Sequence, residues 1–493
     1  MSPILISGII AAYFCLLLGV SYFTSRKASE DAYFLGGKQS AWVLVAFGMI
    51  SDSLSGVTFI SVPGAVGVAK FGYLQVVLGY VLGYIVIAKV LLPLYYRLNL
   101  TSIYAYLANE NRFGAYAQKT ASFFFLVSRL LGSGARLFLT ATVIQLFLFD
   151  AWGVPFVLSV SIIIVLIFLY TYRGGIKTLV FTDALQSGFL LLGVVFSLVA
   201  IGSAMDKSFF ELVAQVSNSE YSQVFFWDIN AKSYFWKQFL GGAFICIAMT
   251  GLDQNMMQKN LSCRSLPEAQ KNMYWFSGMV VVVNIFFLSL GAMLYFYAQS
   301  QGIAIPQKTD QLFPILALNH LGMWAGLAFI IGLTAATFSS ADSVLTTLTT
   351  SFYIDFLHLD TNTDKSPKHK KNIRQLVHVG FAVLLLLVIL AFRALNEQSI
   401  IDTVLTLAGY TYGPILGLFA FGILTKRCAD AWAVPVICLL SPLLSYGLDA
   451  HSVLWFGGYK FGFELLIVNG VITFLGLLVC SSSGAERVGE VDG

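Results

Sequence analysis

Charge is scarce in this chain. Asp, Glu, Lys and Arg make up 11% of its 493 residues, against about 25% in an ordinary soluble domain, and that shortage excludes the soluble globular classes. The 29 basic and 25 acidic residues leave a net charge of +4, too small and too dispersed for a nucleic-acid binder. Cysteine is sparse as well: Cys15, Cys246, Cys263, Cys428, Cys438 and Cys480 lie mostly within apolar stretches and form no C-x-x-C pair, which argues against a disulfide framework or a zinc site. The five histidines are scattered, and no H-E-x-x-H, P-loop or G-x-S-x-G pattern occurs where chemistry could use it. Enzymatic catalysis has no foothold. The opening Met1-Ser2-Pro3, followed by Ile4-Leu5-Ile6, lacks the basic region and small-residue cleavage site of a signal peptide, so residues 4–23 read as a retained first span.

What the chain has in abundance is apolar length. Hydrophobic residues reach 58% and mean hydropathy is +0.80, in stretches of about 20 residues, the length that crosses a bilayer. Only helices satisfy their own backbone there, so the fold class expected is an all-α membrane protein, one membrane domain over 1–493. Apolar windows fall at 4–23, 41–66, 71–96, 120–149, 153–172, 178–203, 238–258, 273–298, 322–355, 376–392, 401–425, 430–449 and 462–481, about 13 transmembrane helices. With the N-terminus outside, 19 Lys and Arg fall in inside loops and 7 in outside segments, leaving Lys89, Arg129 and Arg136 within spans. The positive-inside rule therefore sets the N-terminus outside and the C-terminus in the cytoplasm.

Two spans are interrupted. In span 2 the run Ser51-Asp52-Ser53-Leu54-Ser55-Gly56, then Pro63-Gly64, breaks the apolar stretch, and in span 7 Thr250-Gly251-Leu252-Asp253-Gln254-Asn255 does the same. Broken helices at membrane depth are tolerated where they line a cavity or are buried in protein. The breaks stand five spans apart, and an odd offset means opposite crossing senses. That is the mark of an inverted repeat with its binding site at mid-membrane: 41–203 forms the first repeat, 238–425 the second, 4–23 an extra first helix and 430–481 two C-terminal helices.

Five segments in order then carry a likeness: Phe34-Leu35-Gly36-Gly37-Lys38, Ser55-Gly56 through Pro63-Gly64, Gly174-Gly175-Ile176-Lys177 through Thr182-Asp183-Ala184-Leu185-Gln186, Asp253-Gln254 through Gln258-Lys259, and Phe338-Ser339-Ser340-Ala341-Asp342-Ser343. The chain resembles the sodium/solute symporter family over nearly its whole length. That resemblance implies the LeuT-type 5+5 inverted repeat with an extra N-terminal helix, and sodium as the coupling ion.

Sodium is a hard cation that takes several oxygen ligands. On span 9, Ala336, Ser339, Ser340 and Ser343 stand at i, i+3, i+4 and i+7 and share a helix face. The bland reading of such hydroxyls is that they bond back to their own helix or hold helices together. The resemblance implies a first sodium site from Ser51 and Leu54 with Ala336, Ser339 and Ser340. It also implies a candidate second cation site: Asp183 matches an Asp of span 6 used by some members, with Ser339 and Ser343 at hydroxyl positions, while Asp342 replaces an expected Ser. That departure either strengthens a second sodium site or turns it into a proton-binding or structural pair.

Arg129 and Arg136 of span 4 are seven apart on one face, able to meet Asp52 or a substrate carboxylate. Sialic-acid-transporting relatives hold the carboxylate with a Ser and a Thr of span 2 and an Arg of span 4; Ser55 and Thr58 match the first two, and Arg136 or Arg129 the third. Gln75 and Asp253 would complete a polar pocket, although Asp253 stands where sugar carriers have Asn. The expected function is a sodium-coupled secondary symporter importing a small polar organic solute by alternating access, with an organic anion such as sialic acid as the leading case. A neutral sugar, polyol or amino acid is the alternative. A membrane sensor of the same fold would carry a signalling domain, which the residues after span 13 are too few to form, and a channel would spread its polar residues along a pore. The expected partners are the solute, sodium and the lipid of the cell membrane, with the monomer as the functional unit and no nucleic acid.

Overall fold

The computed structural model describes residues 3–25, 35–171, 175–360, 365–395 and 400–482. Arg26, Lys27, Arg173 and Arg487 of the orientation count, and Phe34 and Gly174 of the family segments, lie outside the described residues. Among the described residues eight helices are long and apolar enough to cross a bilayer: Pro3–Thr24, Tyr73–Arg97, Ala117–Trp152, Gly175–Ala204, Leu266–Ser300, Gly322–Phe356, Pro367–Ala394 and Ala433–Ala450. Bent pairs bring the number to 11: Trp42–Ser53 with Gly56–Ala69 at 58°, Phe235–Gly251 with Gln254–Leu261 at 63°, and Thr403–Thr411 with Gly413–Leu424 at 43°. The windows at 153–172 and 462–481 hold shorter apolar helices, Phe156–Thr171 and Leu465–Val479, of 16 and 15 residues where about 20 are needed to cross. Helices thus occupy all the expected windows, with eight to eleven of them of spanning length. They are numbered span 1 to span 13 in chain order.

The breaks have local causes. In span 2 the helix stops at Ser53, Leu54 leaves the helical region (φ −98°, ψ 71°) and Ser55 is extended (φ −68°, ψ 178°). The chain resumes at Gly56, where a Cβ would stand 2.7 Å from Thr140 Oγ1 and 3.1 Å from Thr337 Oγ1. Only glycine lets span 2 restart against spans 4 and 9. In span 7 a π turn at Ile247–Gly251 ends the first helix. Asp253 then caps the second, accepting from the Met256 N–H at 3.1 Å, the position where a carboxylate meets otherwise unpaired amides.

Glycine also sets the contact of spans 3 and 7. A Cβ on Gly79 would run into the Phe239 carbonyl, and one on Gly242 into the Val76 carbonyl, the small-residue packing by which membrane helices approach. Span 9 runs through the middle, buried at every residue from Leu333 to Ser351. Its hydroxyls must find partners inside the protein. Two helices in the connections were not foreseen: Leu312–Asn319, and Phe209–Ser217, which starts with a capping box. There the Ser208 hydroxyl and N–H both reach Glu211 Oε2 at 2.7 Å and hold its carboxyl below the usual range.

Candidate ion and substrate site

Span 2 meets spans 6 and 9 at its break. Ser51 Oγ lies 2.7 Å from Ser339 Oγ and 3.1 Å from the Asp183 carbonyl, and Ser339 Oγ donates to Asp183 Oδ1 at 3.1 Å. Leu54 is buried at the break, and Ala336 is buried one turn before Ser340. Ser340 Oγ donates back to the Ala336 carbonyl at 3.2 Å. Ser51 and Ser339 thus bring one hydroxyl of span 2 and one of span 9 together beside the Asp183 carboxylate, oxygens of the kind a hard cation takes.

Beside them lies a lysine one residue past the 238–258 window, and so one of the 19 basic residues counted in inside loops. Lys259 is 1% exposed, and its Nζ donates to Asp183 Oδ2 at 2.6 Å, to Asp52 Oδ2 at 3.0 Å and to Ser343 Oγ at 2.8 Å. It comes from the second helix of span 7, whose residues 254–261 are all buried although most are polar. Asn255, one turn earlier on the same face, donates to Asp52 Oδ2 at 2.7 Å and accepts from Thr347 Oγ1 at 2.9 Å. Among the described residues Asp183 and Asp342 share no hydrogen-bond partner. Asp342 turns toward Tyr170, whose hydroxyl donates to Oδ2 at 2.8 Å, and toward the Ser343 N–H.

Arg129 and Arg136 part company. Arg129 grips Asp253 in a fork, Nε to Oδ2 at 2.5 Å and an η nitrogen to Oδ1 at 2.6 Å, and Tyr412 of span 11 donates to the same Oδ2. Asp253 is thereby committed to a cap, a guanidinium and a phenol at 0% exposure, and it does not line the central cavity. That cavity, about 80 Å³ in volume, lies between spans 2, 3, 4, 7 and 11. Asp52, Ser55, Thr58, Arg129 and Arg136 form its polar end; Tyr73, Tyr80 and Tyr84 face Ile245, Met249 and Leu405 around the rest. Among the described residues Asp52 pairs with neither arginine, and its Oδ1 is buried with no hydrogen-bond partner. Gln75 stands elsewhere: its amide donates to the Gly72 and Ser233 carbonyls and accepts from the Phe226 N–H. It ties the 204–237 connection to the start of span 3 instead of completing the pocket.

Lys259, Asn255, Tyr170 and Tyr412 lie at the candidate site without having been marked for it by sequence reasoning. Their signal was weak but present. Asn255 and Lys259 are four apart directly after the span 7 break, so a helix continuing past that break puts both on one buried face.

The model of the sodium:solute symporter family matches residues 33–436. The sodium/sialic acid symporter SiaT of Proteus mirabilis is 25% identical over 472 residues, covering 93% of this chain and 92% of that protein. The sodium-coupled monocarboxylate transporter 2 of Danio rerio is 28% identical over 433 residues, 84% of this chain and 67% of that one. Among solved structures, a substrate-bound outward-open Na+-coupled sialic acid symporter superposes with a TM-score of 0.81 at 22% identity, covering 97% of this chain and 99% of that chain. Mhp1, a nucleobase-cation-symport-1 transporter in a closed conformation, follows with a TM-score of 0.56 at 14% identity, covering 93% and 95%. With its LeuT-type arrangement of broken helices and a family match over most of its length, the chain belongs to the sodium:solute symporter family and is a multi-pass, sodium-coupled membrane transporter, not an enzyme.

Proposed function

We propose that this symporter carries a small organic anion whose carboxylate is held by Arg136 with the hydroxyls of Ser55 and Thr58, while sodium is held by Ser51, Leu54, Ala336, Ser339 and Ser340. The observation that carries the reading is Arg136 itself. Among the described residues no acceptor lies within hydrogen-bonding or ion-pair distance of its guanidinium, although it lines the central cavity. An ionised side chain inside a span costs about 2.5 to 3.5 kcal/mol on insertion scales, a cost that an arriving carboxylate offsets through two parallel charge-assisted hydrogen bonds. The unpartnered Asp52 Oδ1 on the same wall would accept from a hydroxyl or amine of the solute. The relatives are named for sialic acid and for monocarboxylates, and both solutes carry a carboxylate.

Ion binding across the contact of spans 2 and 9 would favour one arrangement of the broken helices and so raise solute affinity, and the solute would raise sodium affinity by the same factor. In this reading 41–203 and 238–425 are the two repeats that rock about the site. Each chain works alone in this reading. The chain sits in the cell membrane with its N-terminus outside, as the surplus of basic residues in the opposite loops supports. Uptake into proteoliposomes under an inward sodium gradient tests the substrate, with sialic acid, lactate, butyrate, glucose and proline as the panel. Sodium-driven uptake of a carboxylate, competed by other carboxylates, is expected. Uptake of glucose with no response to any anion would overturn the reading.

A further inference from the structure

We infer that the Lys259 ammonium is a tethered cation that takes the place of a second sodium ion, so that this carrier moves one sodium per solute. The inference rests on the sodium coupling described above and not on the charge of the solute.

An ammonium has three hydrogens to donate. Those of Lys259 meet three oxygens, Asp183 Oδ2, Asp52 Oδ2 and Ser343 Oγ, at 2.6, 3.0 and 2.8 Å. These oxygens come from spans 6, 2 and 9, and they are the kind of donor that a hard cation seeks. The site is buried: Lys259 is 1% exposed, Asp52 2%, and Asp183 and Ser343 0%, with Asp52 alone of the four also on the wall of the central cavity. A like charge placed against these oxygens would be repelled at close range in a medium that screens poorly. The other carboxylate that could have recruited a second sodium is engaged elsewhere, because Asp342 takes its hydrogen bonds from Tyr170 and the Ser343 N–H. Lys259 also sits in the last turn of the helix Gln254–Leu261, where carbonyl ends favour a positive charge. The cation at this place is therefore part of the chain and does not exchange with solution.

Two consequences can be measured. Purified native protein, melted without solute across a sodium titration, should show a single-site dependence, and fluxes of labelled sodium and solute in proteoliposomes should stand at one to one. Lys259→Met keeps the volume of the stem but removes the charge, exposing two buried carboxylates and Ser343 to ions. Its melting temperature should fall without sodium, and its sodium dependence should become steeper, with a Hill coefficient approaching two. Lys259→Arg keeps the charge and should keep the single-site curve. A native flux ratio of two sodium ions per solute overturns the inference, even if Lys259→Met cannot be purified. A Lys259→Met protein that folds and still shows a single-site sodium curve also overturns it. Neither measurement depends on whether the solute is charged, so a neutral solute would defeat the anion reading and leave this one intact.

Discussion

Two arginines on one helix face, seven residues apart, should respond oppositely to the same change. Arg129 is locked to Asp253 by two short hydrogen bonds, whereas Arg136 opens onto the cavity without an acceptor among the described residues. Arg129→Gln breaks a buried ion pair and strands the Asp253 carboxylate at 0% exposure, a loss of about 3–5 kcal/mol. Tyr412 and the Met256 N–H still reach that carboxylate, which places the expected loss at the lower end. Arg136→Gln removes an unpaired charge from the membrane interior, so stability without solute should stay level or rise. What it removes appears only when substrate binds. Hydrogen bonds to a charged group contribute about 1.5–3 kcal/mol each, and about 1.4 kcal/mol is tenfold in affinity, so loss of one such bond should raise the substrate KM about 10- to 100-fold. Arg136→Lys, which keeps the charge but not the planar fork, should fall between. The assays are melting temperatures of detergent-solubilised protein in sodium without solute, and uptake kinetics in proteoliposomes. If Arg136→Gln lowers the melting temperature as much as Arg129→Gln and leaves KM within about twofold, the distinction between a structural and a substrate-binding arginine is wrong.

Ser339→Ala removes a hydroxyl placed between Ser51 and Asp183, and Ser340→Ala removes one that bonds its own helix; both should raise the sodium concentration for half-maximal uptake with little change in expression, and unchanged sodium dependence in both would remove the span 9 hydroxyls from the ion site. Asp342→Asn should keep the sodium-to-solute flux ratio of the parent, since the native carboxylate faces Tyr170 and not Lys259; a changed ratio would return Asp342 to the ion path. Gly79→Ala or Gly242→Ala should abolish monodisperse protein on size-exclusion chromatography, because each added methyl meets a backbone carbonyl that cannot turn aside. Gln75→Ala should leave KM unchanged while making the 204–237 connection easier to cleave by protease, because Gln75 holds that connection through Phe226 and Ser233.

The fold was legible because lipid imposes two simple demands, apolar length and internally satisfied backbone, and both leave linear marks. The windows at 153–172 and 238–258 meet the helix Phe156–Thr171 and the bent pair Phe235–Gly251 with Gln254–Leu261, and the interruptions at Ser51–Gly56 and Thr250–Asn255 fall on the two sharpest bends. The Phe209–Ser217 helix could have been read from its capping box, Ser208-Phe209-Phe210-Glu211; Leu312–Asn319 carries no such signal at its start.

Pairing of charges is a different kind of information. Asp52, Asp183 and Lys259 are separated by 76 to 207 residues, and nothing in the spacing of the chain says which carboxylate an intramembrane cation will meet. A lysine near a span end reads as a loop charge because most such lysines reach the headgroups along their flexible stems. Lys259 does the opposite because its helix begins after a break, so it starts deep in the bundle and its last turn is still enclosed by spans 2, 6 and 9. Counting that helix as the tail of a span put the lysine in the following loop, while treating the break as the start of a new buried helix puts it within the bundle. The same break therefore makes the fold recognisable from sequence and hides the cation on which the inferred ion coupling turns.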